Sequence, residues 1–86
     1  MMGVHIWGVK RFALATAIIE RLKALKLWAM VNSMLYNRGG CPEMMSASVD
    51  EDGVMQLIFK LGDGSGLTVR ATNDGSLRTE EVPHYV

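Results

Sequence analysis

Between Lys10 and Tyr36 the chain has neither glycine nor proline, whereas from Asn37 onward seven glycines and both prolines cut it into short pieces. This punctuation constrains the fold more than any other feature. It predicts one long uninterrupted element, followed by several short ones joined by turns.

The uninterrupted stretch is rich in Ala, Leu, Lys, Arg, Met and Glu, the residues of highest helix propensity. Leu14, Ile18, Leu22, Leu25, Ala29 and Tyr36 recur on one helical face, with Thr16, Glu20 and Lys23 opposite. After Lys26 the apolar residues Leu27, Trp28, Met30, Val31, Met34 and Leu35 cover most of the circumference. The spacing therefore predicts one amphipathic helix over 10–38, buried later on more than one side. Asn37-Arg38-Gly39-Gly40 closes it, with Gly39 or Gly40 in the left-handed cap conformation and Pro42 beyond. Residues 1–9 read as an arm or short strand, and a continuation of the helix back to Val4 stays open as the alternative.

The second half alternates as strands do. Met44–Asp50 alternates weakly, with Ala47 and Val49 on one face, and Glu51-Asp52-Gly53 forms a turn. Val54–Leu61 alternates strongly, with Met55, Leu57, Phe59 and Leu61 on one side and Gln56, Ile58 and Lys60 on the other. After Gly62-Asp63-Gly64-Ser65-Gly66 comes Leu67–Thr72, with Leu67, Val69 and Ala71 inward; Asn73-Asp74-Gly75 then leads into Ser76–Val82, which Pro83 ends. Residues 83–86 are a tail. One apolar and one polar sheet face suit a helix covering a single side. The expected fold is a single α+β domain, a long N-terminal helix packed on a three- to four-stranded antiparallel meander in two layers. No internal repeat or low-complexity segment is evident.

An 86-residue chain buries only about 60–65% of its unfolded surface. Cys41 is its single cysteine, so neither an internal disulfide nor a multi-cysteine zinc site supplements that core. Yet 49% of the residues are hydrophobic and the mean hydropathy is +0.14. That surplus points to self-association, most simply a dimer, or to a stable partner. The charges in 1–38 interrupt every apolar run well before the roughly 20 residues a membrane span needs. Phe12–Ile19 is followed by Glu-Arg rather than a small-residue cleavage site, unlike a signal peptide. One free cysteine and no export signal imply a reducing cytoplasm.

The net charge of zero hides a division. Residues 1–38 carry Lys10, Arg11, Arg21, Lys23, Lys26 and Arg38 against Glu20 alone. Residues 39–86 carry Lys60, Arg70 and Arg78 against Glu43, Asp50, Glu51, Asp52, Asp63, Asp74, Glu80 and Glu81. The basic residues Lys10, Arg11, Arg21, Lys23 and Lys26 make phosphate contact the alternative reading, that of a nucleic-acid-binding regulator. They do not form one stripe, and the outer sheet face carries no aromatic platform for bases. A helix face whose charges meet acids of the sheet loops or of a second subunit is the preferred account.

Motifs for chemistry are sparse. The Gly62–Gly66 loop lacks a Walker lysine and precedes a strand rather than a helix, so it reads as a hairpin. Asp50-Glu51-Asp52-Gly53 lacks the spaced ligands of a calcium loop. His5, His84 and Cys41 could hold zinc only if the termini met, and no spacing brings them together. No catalytic motif, metal site or cofactor site is assigned, and the chain reads as a non-enzyme; a small enzyme or toxin of ribonuclease type ranks third. The preferred function is a protein–protein interaction module that self-associates through its helix and docks on a larger partner. A phage or mobile-element inhibitor of a bacterial host system fits that description. Trp28, Met30, Val31, Met34 and Leu35 are the expected interface, because buried aromatics and adaptable methionines dominate such contacts.

Overall fold

A computed structural model describes residues 9–85, with the side chains of 13–85. The expected arm at 1–9 lies, apart from Val9, outside the described residues. The elements run α1 (Val9–Ala24), α2 (Trp28–Tyr36), β1 (Glu43–Val49), β2 (Met55–Lys60), β3 (Gly66–Ala71) and β4 (Leu77–Val82). The strands form one antiparallel sheet in the order β1-β2-β3-β4, a meander with the helices packed against one face. The α+β two-layer architecture is therefore as the sequence predicts.

The single long helix is not. Lys26, at φ 65°, is the one non-glycine residue with positive φ among those described, and it ends α1. The Lys26 N–H donates to the Lys23 carbonyl (3.0 Å) and the Leu27 N–H to the Leu22 carbonyl (2.8 Å). These are the two bonds of a Schellman cap, with Leu27 packing on the core beside buried Leu22. The break re-phases the chain. Val31 lies about two and a half turns beyond Leu22, so an unbroken helix would point the two to opposite sides. Both are fully buried, while Ala29 and Tyr36, expected on the inner face, are exposed.

The sheet's inner face follows the alternation. Leu57 faces Val69, Phe59 faces Leu67 and Met55 faces Ala71 across β2 and β3, and all six are buried. Ala15, Ile18 and Leu22 of α1 and Val31 and Leu35 of α2 close over them. In β1 a bulge at Met45 shifts the register between Met44 and Ser46, so Met44 and Ala47 both face inward despite their odd spacing. The expected weak alternation there is the sequence trace of that bulge.

The three hairpins share one geometry. Asp50 N–H bonds the Val54 carbonyl, Leu61 N–H that of Ser65, and Thr72 N–H that of Ser76. Within each, the glycine N–H of Gly53, Gly64 or Gly75 bonds back to the first residue, and that glycine has φ of +83°, +89° or +94°. This is a type I turn followed by a left-handed residue, a three-residue connection. Asp52-Gly53, Asp63-Gly64 and Asp74-Gly75 thus recur every 11 positions. The expectation of no internal repeat is corrected: the turns repeat, although the strands between them do not look alike.

Candidate interaction surface

The five expected interface residues divide. Val31 (0% exposed) and Leu35 (3%) belong to the chain's own core, a consequence of the break at Lys26. Trp28 and Met34 are half-buried and pack against that core with part of each side chain outward. Met30 is 51% exposed. Tyr36, 53% exposed, joins them from the last turn of α2. The large apolar side chains that α2 leaves wholly or partly outward are therefore Trp28, Met30, Met34 and Tyr36, while Val31 and Leu35 face the core. Tyr36 was missed because an unbroken helix places it inside.

The basic residues do not gather. The side chains of Lys10 and Arg11 lie outside those described. Arg21 Nε donates to Asn73 Oδ1 (3.2 Å), tying the end of α1 to the third hairpin. Lys23 Nζ pairs with Glu20 (3.3 Å), one turn back on the same helix. Lys26 occupies the exposed corner between the helices. Arg38, just past α2, reaches Asp63 Oδ2 (3.4 Å) and the Glu81 carboxylate, bracing the helical layer against the second hairpin and β4. Of the described residues among these, Arg38 alone meets acids of the sheet, Asp63 of the second hairpin and Glu81 of β4; Arg21 meets an amide and Lys23 an acid of its own helix.

Acids of the hairpins have a prior task. The amide after each left-handed glycine is capped by a carboxylate: Val54 N–H by Asp50 (3.0 Å), Ser65 N–H by Asp63 (2.9 Å) and Ser76 N–H by Asp74 (3.0 Å). The Ser65 hydroxyl, then its amide, and the nearby Arg38 charge hold the Asp63 carboxyl below its ordinary value. For Asp74 the Thr72 hydroxyl leads, followed by the Ser76 amide. Three of the eight acids of residues 39–86 are thus engaged in turn chemistry.

On the outer sheet face the chain turns at Pro83 and comes back. Tyr85 N–H bonds the Gly64 carbonyl (2.9 Å), and the Tyr85 ring covers Gly66. A shallow cleft of about 320 Å³ lies there between Ile58, Thr68, Val82, His84 and Tyr85. An aromatic side chain thus reaches the outer face from the tail, where none was expected from the strands. Cys41 is exposed, and His5 lies outside the described residues. No cluster of three metal-ligating side chains occurs among the described residues. Among them, no helix is long and apolar enough to cross a membrane.

No protein-family model, curated protein or solved structure matches the chain.

Proposed function

We propose that the chain is a non-enzymatic protein–protein interaction module that self-associates, and that it docks on a larger partner through the apolar residues α2 leaves exposed. The α2 surface carries this reading. On α2 Met30 and Tyr36 are exposed, and Trp28 and Met34 are half-buried against the core with part of each side chain outward. Leaving Met30 and Tyr36 half in water forgoes part of the about 1.5–3 kcal/mol that full burial of such a side chain is worth. Methionine and aromatic residues are the types that adapt to and anchor a partner.

Sedimentation velocity at micromolar concentration tests the first half, with a dimer or larger species expected. A sharp monomer removes self-association from the proposal. The second half is tested by comparing partners retained by wild type and by the Met30→Glu/Tyr36→Glu variant. A stoichiometric protein held by wild type through high salt and lost from the variant is expected. Retention of DNA or RNA that collapses with salt, and with Lys23→Glu/Lys26→Glu, overturns the ranking in favour of the nucleic-acid regulator.

A further inference from the structure

We infer that the second copy of this chain docks on the free edge of β4, pairing β4 with β4 antiparallel about a two-fold axis at Thr79 and joining two sheets into one of eight strands. The inference rests on the proposed self-association and locates it away from α2. β4 is exposed along both faces except at Leu77, and one side of it has no strand neighbour. The opposite edge, β1, carries the bulge at Met45, the usual device that blunts an edge against pairing.

The backbone and the charges select the same register. Thr72 N–H bonds the Ser76 carbonyl, so the alternation of an antiparallel ladder makes Arg70–Arg78 and Thr68–Glu80 the hydrogen-bonded pairs. Leu77, Thr79 and Glu81 then turn their N–H and C=O groups to the open edge. A two-fold at Thr79 sets these groups opposite one another, and it places Arg78 of each copy across from Glu80 of the other. A two-fold at Arg78 or at Glu80 would instead oppose like charges. Within one chain Arg78 already faces Arg70, which is held by Gln56 (2.7 Å) rather than by an acid. Arg78 and Glu80 have no ion-pair partner among the described residues. Glu81, an inward-facing edge charge that would ordinarily repel a neighbouring strand, is already neutralised by Arg38.

Charge reversal separates this contact from an effect on the fold. Arg78→Glu removes the Arg70 opposition within the chain, so the monomer's melting temperature should hold or rise. In the dimer it sets like charges opposite each other twice, and the dissociation constant should rise about tenfold. Glu80→Arg should weaken the dimer similarly, and the combined swap Arg78→Glu/Glu80→Arg should restore it to within about threefold of wild type. Thr79→Pro removes only an outward N–H and should leave a folded monomer. Hydrogen exchange at the Leu77, Thr79 and Glu81 amides should slow as protein concentration rises. If wild type is dimeric but indifferent to Thr79→Pro and both reversals, the β4 contact is wrong and self-association stands on another surface. If wild type is monomeric at micromolar concentration, the contact and the self-association fall together.

Discussion

A lysine in the left-handed region costs about 1–2 kcal/mol relative to its preferred conformations, because its Cβ crowds the carbonyl. Lys26 bears that cost so that Leu27 and Leu22 can meet and Val31 can turn inward. Lys26→Gly should therefore stabilise the fold by about 1 kcal/mol, a rise in melting temperature of roughly 4–8 °C. An unchanged or lower melting point would show that the corner is built otherwise. The break was illegible because helix ends announce themselves through glycine, asparagine or proline, and the sequence 25–28, Leu-Lys-Leu-Trp, contains none. Once the break is missed, the errors at Val31, Leu35, Ala29 and Tyr36 follow together. The capping carboxylates also have a pH signature. Asp63 and Asp74 titrate lower in the folded chain than unfolded, so their stabilisation is complete above the unfolded value and is lost as pH falls through the folded one. Stability should decline below about pH 4, and Asp63→Asn/Asp74→Asn should flatten that decline in acid-dependent denaturation. Equal slopes would leave the two carboxyls without a part in it.

The strands were legible because period-two alternation is strongest where one face is buried and the other wet, as in β2 and β3. Phe59, buried between Met44 and Leu67, is the largest side chain of that alternation, and Phe59→Ala should cost about 3–5 kcal/mol in denaturant unfolding. Coincident midpoints for the two proteins would reverse the assigned faces. Less legible were contacts between elements distant in sequence. A Cβ on Gly62 would collide with the Gly39 carbonyl, backbone against backbone. Gly62→Ala should thus cost about 2–3 kcal/mol, whereas Gly62 seen in sequence is merely one of three glycines in a turn. The repeat was hidden for a subtler reason. Its period of 11 is odd, and inward residues alternate strictly, so the apolar positions shift by one from each unit to the next: Leu57 and Phe59 in one, Leu67 and Val69 in the next. Only the Asp-Gly turns keep their place.

For the whole molecule, the division of charge noted in the sequence is bridged between layers at one point, where Arg38 beyond α2 pairs with Asp63 and Glu81 of the sheet. Such exposed pairs are worth about 0–1 kcal/mol each and weaken with salt. Arg38→Met should accordingly lower stability modestly at low ionic strength, with the difference shrinking at high salt; a salt-independent loss would assign Arg38 a packing role instead. The architecture was legible from composition and punctuation, whereas the candidate surface was legible only in part, since it depends on the re-phasing at Lys26. The odd period also governs how such a sheet can grow. Copying one 11-residue unit in tandem would present a strand with its polar side to the core. Copying two together, residues 54–75, would keep every apolar side chain in phase. A chain of this design can lengthen by gene duplication in pairs of strands and not singly, so any longer version of this sheet should carry an even number of added strands.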